Sequence, residues 1–255
     1  MKQAGTVKNL RVLLKRRPVG EPSENDFEFS EVEVPAPEKG QMLLRTLWLS
    51  LDPYMCGRMN EGKSYAPPVA IGDVMVGGTV SEVVTSNIPG FAPGDIVEGR
   101  TGWQQYALSD GKDMRIVDRR LGPISTALGV LGMPGMTAYF GFLNIGQPKS
   151  GETVVVSAAA GAVGSVVGQI AKIKQCRVVG VAGSQAKCDY VVNRLVFDAC
   201  VSYRDQEFSL RLQKECPNGI DIYFENVGGK VFEAVLPLLN DFGRVPVCGL
   251  IAHLE

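Results

Sequence analysis

The sharpest hydrophobic pattern lies in the second half of the chain. Thr153-Val154-Val155-Val156 is a short unbroken apolar run, the residues from Ser157 to Gly164 are small, and Val166, Val167, Ile170 and Ala171 then recur at helical spacing. This predicts strand, tight turn, helix. Arg177 to Ala182 follows as a second strand after a crossover of helical length, which completes a parallel βαβ unit. Apolar runs near 198–202, 220–224 and 244–248 continue the alternation with amphipathic helices, the pattern of a doubly wound parallel sheet.

The first half has another texture. Short runs of β character cover Leu10 to Leu14, Phe27 to Val34, Gln41 to Ser50, Asp73 to Val84, Ile96 to Glu98, Gly102 to Leu108 and Arg115 to Val117. Pro35-Ala36-Pro37, Asn87-Ile88-Pro89-Gly90 and Pro93-Gly94-Asp95 punctuate them. A compact, mostly β barrel is expected, with the domain boundary near Leu121: residues 1–120 form one domain and 121–255 the other. The whole is an α/β protein.

Composition narrows the partners. The 255 residues carry 26 basic and 27 acidic side chains, a net charge of -1 with no strong run of either sign, so neither nucleic acid nor a membrane surface is expected as a partner. No stretch is apolar enough to span a membrane, and Leu10 to Leu14 is too short for a signal peptide. Six scattered cysteines without C-x-x-C spacing, and a single histidine, His253, argue against a zinc site. A reducing cytoplasm is the expected location.

The turn after the first parallel strand carries the candidate chemistry. In Ala159-x-Gly161-x-x-Gly164, small residues let the N–H groups of a helix start approach a pyrophosphate, with Ala162 and Val163 in the first turn. The same residues also suit close helix packing. At the end of the second strand an NAD site places a carboxylate, whereas here Gly183-Ser184-Gln185-Ala186-Lys187 offers a hydroxyl, a helix start and an ammonium. That set suits a 2′-phosphate, hence NADPH, although Lys187 also reads as a solvated helix lysine.

Several segments together carry a more specific likeness: Leu49-Ser50-Leu51-Asp52-Pro53-Tyr54-Met55, Val76-Gly77-Gly78-Thr79-Val80, Gly102-Trp103-Gln104-Gln105-Tyr106, Gly132-Met133-Pro134-Gly135-Met136-Thr137-Ala138-Tyr139, Phe224-Glu225-Asn226-Val227-Gly228-Gly229 and Val247-Cys248-Gly249-Leu250-Ile251. With them the chain resembles the zinc-independent medium-chain dehydrogenase/reductases of the curcumin reductase, prostaglandin reductase and double-bond reductase group. The resemblance implies a GroES-like β-barrel followed by a Rossmann domain, with NADPH in the cleft between them. It implies that Lys187 and Tyr203 hold the 2′-phosphate, that Asn226 and the Cys248-Gly249 backbone meet the nicotinamide half, and that Met133 and Thr137 line its wall. The reaction implied is reduction of the C=C bond of a small α,β-unsaturated ketone or aldehyde, with Tyr54 and Tyr65 contacting or orienting the enone. Tyr54, Tyr65, Tyr203 and Asn226 also have ordinary readings as packing or turn residues. Quinone reduction is a neighbouring possibility.

Two departures from the family pattern stand out. Cys56 occupies the place of the arginine in Asp-Pro-Tyr-Met-Arg. The family also continues beyond Gly249-Leu250-Ile251 into a tyrosine-bearing loop, a sixth strand and a return segment, so a Rossmann domain lacking its last strand is expected. The sixth strand builds the family dimer. A homo-oligomer therefore remains an expectation of unsettled form, and a nucleotide-binding module without competent catalysis stands as the second functional reading.

Overall fold

The computed structural model describes residues 7–62 and 64–253. Two compact units emerge, one extending to Leu128 and the other from Gly129 to His253. No helix among the described residues is long and apolar enough to cross a membrane.

In the first unit, β1 (Lys8–Leu14) and β2 (Phe27–Glu33) form an antiparallel hairpin, in register from Lys8 opposite Glu33 to Leu14 opposite Phe27. A second antiparallel sheet contains β3 (Met42–Leu49), β4 (Thr79–Ser86), β5 (Ile96–Gly99), β6 (Tyr106–Ser109) and β7 (Arg115–Ile116) in the order β6-β3-β4-β5-β7. One six-residue helix, α1 (Tyr54–Met59), interrupts the strands. Met42, Leu44, Val83 and Val97 bury a common face, which is the one-sided burial that antiparallel sheets permit.

The expected strand over Asp73 to Val84 divides in two. Its ladder to β3 begins only at Thr79, while Asp73 to Met75 pairs elsewhere: Leu14 N–H donates to the Asp73 carbonyl, Met75 N–H to Val12, and Trp103 N–H to Met75. This segment thus stitches the hairpin to the chain around Trp103. The short 3-10 turn Ile124–Leu128, which the sequence texture groups with the helical half, packs Ile124, Ala127 and Leu128 against Val80 and Ile96 and so belongs to the first unit.

The second unit opens with α2 (Met133–Phe140) and a π-helical turn over Gly141–Gly146. Strands and helices then alternate: β8 (Thr153–Val156), α3 (Ala162–Ile173), β9 (Arg177–Ala182), α4 (Gln185–Leu195), β10 (Ala199–Ser202), α5 (Phe208–Glu215), β11 (Ile220–Phe224), α6 (Gly229–Val235) and β12 (Leu239–Arg244). All pair in parallel in the order β10-β9-β8-β11-β12. This is the 3-2-1-4-5 part of a Rossmann sheet.

Helices cover both faces, which explains why β8 reads as continuously apolar. Val154 and Val156 enter one core with Phe142, Val167, Val178 and Phe224, while Val155 enters the other with Val179, Val181, Leu212, Tyr223 and Val235. Each such side chain contributes roughly 1.5–3 kcal/mol on burial.

The last strand departs from expectation. The apolar run near 244–248 contains Pro246, which has no N–H for the ladder, and beyond Arg244 the described pairing is a single bridge from Val247 to Glu225. The strand instead forms over Leu239–Arg244, with an irregular register against β11 and an exposed Phe242 at φ 61° inside the bulge.

Candidate functional site

The turn after β8 is built from backbone contacts. Gly161 N–H donates to the Ala158 carbonyl at 2.8 Å, Ala159 N–H to the Val181 carbonyl of β9 at 3.0 Å, and Ser165 N–H to Gly161 at 3.0 Å. Ala158 sits at φ 48°, an unusual conformation for a residue with a Cβ. A Cβ on Gly164 would stand 2.5 Å from the Ala158 carbonyl oxygen and 3.1 Å from the Ala159 Cα, so only glycine lets α3 lie this close to the turn.

Ala159, which takes the first glycine position of the fingerprint, is fully buried. Room for its methyl comes from the neighbouring strand: a Cβ on Gly180 of β9 would approach the Ala159 Cβ to 2.9 Å. Gly161 is the N-cap of α3 and no side chain caps that end. The first-turn N–H groups, with Ala162 exposed and Val163 half-buried beside them, are thus open to an anion, as a pyrophosphate requires. The residues present fit a dinucleotide.

At the end of β9, Ser184 caps α4, its Oγ accepting from Lys187 N–H at 3.3 Å. The Lys187 ammonium is exposed and has no ion-pair partner among the described residues. The Tyr203 hydroxyl lies 3.1 Å from where a Gly183 Cβ would stand, so the structure brings Gly183, Ser184, Lys187 and Tyr203 to one strand end. Lys230, which the sequence did not single out, joins them with its Nζ 5.0 Å from the Tyr203 ring centroid.

The end of β11 centres on a residue whose role was not legible in the sequence. Glu225 is completely buried, with no cation among its side-chain partners. Its Oε1 is 3.0 Å from Ser157 Oγ and accepts from the N–H groups of Val227 at 2.5 Å and Gly228 at 3.0 Å, while Oε2 accepts from the Tyr223 hydroxyl at 2.8 Å. Burial, seconded by the Glu225 charge, pushes the Tyr223 phenol far above its ordinary range and keeps it a donor.

This carboxylate shapes the surrounding loops. Asn226 donates its N–H to Ser157 Oγ and its side-chain amide to the Ser157 carbonyl, both at 2.7 Å, which latches β11 to β8. The N–H groups of Cys248 and Gly249 both donate to the Glu225 carbonyl, so Asn226, Cys248 and Gly249 share one loop cluster. Met133 and Thr137 are one turn apart on α2, linked by Thr137 Oγ1 to Met133 Sδ at 3.6 Å.

In the first unit, Tyr54 opens α1 and is half-buried, while Tyr65 is 85% exposed. The two are close enough that Tyr65 contributes to the titration of Tyr54. Burial chiefly, then Asp52, raises the Tyr54 phenol, and Arg100 opposes them. The Tyr65-bearing loop is tied at its base by Arg17, whose Nη1 donates to the carbonyls of Met59 at 2.8 Å and Val69 at 2.5 Å, and by Arg58 Nε donating to Pro67 at 2.6 Å. Among the described residues no group of three or more His, Cys, Asp or Glu side chains is placed to hold a metal ion.

Comparison with known proteins agrees across the chain. Residues 10–117 match a family described as the N-terminal domain of oxidoreductase, and residues 162–255 match the zinc-binding dehydrogenase family. The NADPH-dependent curcumin reductase of Escherichia coli (strain K12) is 57% identical over 96% of this chain and 71% of its own length. The 2-alkenal reductase (NADP(+)-dependent) of Nicotiana tabacum is 45% identical over 98% of this chain and 75% of its own length. A crystal structure of CurA in complex with NADPH from Vibrio vulnificus superposes with TM-score 0.93 at 54% identity, covering 96% of this chain and 73% of that one.

Proposed function

From the premise that the chain belongs to the medium-chain dehydrogenase/reductase family, we propose that it reduces the C=C bond of small α,β-unsaturated ketones or aldehydes with NADPH. It is an NADP-dependent oxidoreductase, and its relatives include a curcumin reductase and an alkenal reductase. The observation that carries the cofactor reading is the strand end at Gly183-Ser184, where no carboxylate stands and the unpaired Lys187 does.

Bound NADPH supplies the hydride. The first-turn N–H groups of α3, from Ala162 to Gly164, receive the pyrophosphate, with Ala159 and Gly161 keeping the approach open. Gly183, Ser184, Lys187 and Tyr203 receive the 2′-phosphate. Asn226, Cys248 and Gly249 hold the nicotinamide half, and Met133 and Thr137 contribute its apolar wall.

On the substrate, hydride arrival at the β carbon places negative charge on the carbonyl oxygen. Tyr54 and Tyr65 orient the enone and donate to that oxygen. A tyrosine phenol holds its proton at neutral pH, and burial, which raises the Tyr54 phenol further, leaves that O–H in place as a donor.

The test is titration with NADPH and, separately, NADH, followed by an enone or a quinone while nicotinamide absorbance is recorded. Preferential NADPH binding with oxidation by the enone is expected. Oxidation by the quinone alone moves the substrate class, binding without oxidation supports a nucleotide-binding module, and absence of binding overturns the cofactor site.

A further inference from the structure

The strand-end cluster that holds Gly183, Ser184, Lys187 and Tyr203 contains one cation more than that reading uses. Lys230 begins α6 next to Gly229, far along the chain from Lys187, yet its ammonium lies over the face of the Tyr203 ring. The ring packs against the buried core of the parallel unit, and its hydroxyl stands close against Gly183.

The placement of Lys230 is informative because an exposed lysine ordinarily stays in solvent or meets a carboxylate. Here the exposed Lys230 sets its ammonium against an aromatic face, and no ion pair of Lys230 exists among the described residues. A tyrosine face attracts an ammonium without neutralising it. The result is a second uncompensated positive charge at the strand end from which the Lys187 helix starts, on a platform whose hydroxyl stands against Gly183.

An ammonium on a tyrosine face at the same strand end as the unpaired Lys187 suits an anion of more than one negative charge. A phosphate monoester carries about -1.5 to -2 near neutral pH. We propose that Lys230 is a specificity-determining residue that, carried by Tyr203, supplies the second cation to the 2′-phosphate of NADPH and so separates NADPH from NADH. This rests on the placement of the 2′-phosphate beside Lys187 and Tyr203 argued above.

The experiment measures binding of NADPH, NADH and 2′,5′-ADP to the full chain and to Lys230→Met, Lys230→Arg and Lys187→Met. Lys230→Met is expected to weaken NADPH and 2′,5′-ADP about tenfold, as loss of one charge-assisted contact does, while leaving NADH and the unfolding temperature unchanged. Lys230→Arg keeps most of the NADPH affinity. Equal weakening of NADPH and NADH, or no weakening of either, overturns the inference. Selective NADPH loss in Lys187→Met without it in Lys230→Met removes Lys230 alone; no selective loss in either variant removes the 2′-phosphate placement as well.

Discussion

The ends of the parallel strands and the tyrosine-bearing segment of the antiparallel unit solve different problems. At β8, β9 and β11 almost every functional position is fixed by main chain or by a buried side chain: Gly164 against Ala158, Ala159 against Gly180, Asn226 on Ser157, and Glu225 beneath the Val227-Gly228 turn. Around Tyr54 and Tyr65 the geometry rests on two arginines reaching carbonyls at the base of an exposed loop. On the proposed site, the first arrangement would tie cofactor geometry to folding, and the second would let the proposed enone-facing side chains change with little cost to the core.

The largest effect expected from that contrast is at Glu225. Its replacement by alanine leaves the Tyr223 hydroxyl and the N–H groups of Val227 and Gly228 without their acceptor in the interior. A loss of about 3–5 kcal/mol is expected in denaturant unfolding, together with weaker NADPH binding. Full stability in Glu225→Ala would break the link between cofactor geometry and folding.

Tyr54→Phe should show the opposite profile. Loss of a donor at the developing enolate lowers kcat by about a hundred- to a thousandfold, with NADPH affinity and unfolding midpoint unchanged. An unchanged kcat in stopped-flow hydride transfer would return Tyr54 to a packing role.

Gly164→Ala probes the turn more gently. Its methyl meets main chain rather than a movable side chain, so about 1–3 kcal/mol of stability is expected to be lost, with NADPH affinity falling in parallel. If affinity falls and stability does not, the turn is tuned for the ligand alone.

The smallest effects are those of pH, and they differ between the units. Burial raises the thiols of Cys176 and Cys216 in the parallel unit to about 11. The folded state therefore favours their protonated forms, and that preference, complete below the ordinary thiol value, fades as pH rises from about 9 to 11. In the antiparallel unit Asp26 is held below its ordinary value, first by the Ser23 N–H and then by Arg16, so its contribution is present above the normal carboxylate range and fades as pH falls beneath it. Thermal melts from pH 8 to 11, comparing the parent with Cys176→Ala, test the alkaline limb: the variant should lose less. Melts from pH 5 to 2 with Asp26→Asn test the acid limb.

The sequence made the parallel unit legible wherever burial was two-sided. Thr153–Val156 and Arg177–Ala182 are strands with both faces covered, and their apolar runs leave little choice of element. Leu239–Arg244 carries Asn240 and Asp241 at the sheet edge, so its polarity hid it and the apolar residues around Pro246 drew the assignment instead. In the antiparallel unit, Asp73 to Met75 has strand character but pairs with a different neighbour from the residues that follow, and local pattern does not carry that information.

The candidate site divides along the same line. The glycine turn and Ser184-x-x-Lys187 are local signals and could be read directly. Lys230 and the Glu225 network are not, because their meaning comes from partners on other strands: Tyr203 for one, Ser157 for the other. Only the signal that a glutamate sits in Ile-Asp-Ile-Tyr-Phe-Glu, at the end of an apolar run, could have flagged Glu225 as buried and therefore occupied.

The pairing of Ala159 with Gly180 also constrains how this chain can change over time. The methyl that other dinucleotide turns omit has its space on the adjoining strand. Enlarging position 180 drives its methyl to 2.9 Å from the Ala159 Cβ and to 3.1 Å from both Cys200 Sγ and Val191 Cγ1, so shrinking position 159 first relieves only the tightest of three contacts. Position 180 therefore answers to side chains from three elements at once, and the glycine form of the turn is reached more easily through position 159 than by adding bulk at 180.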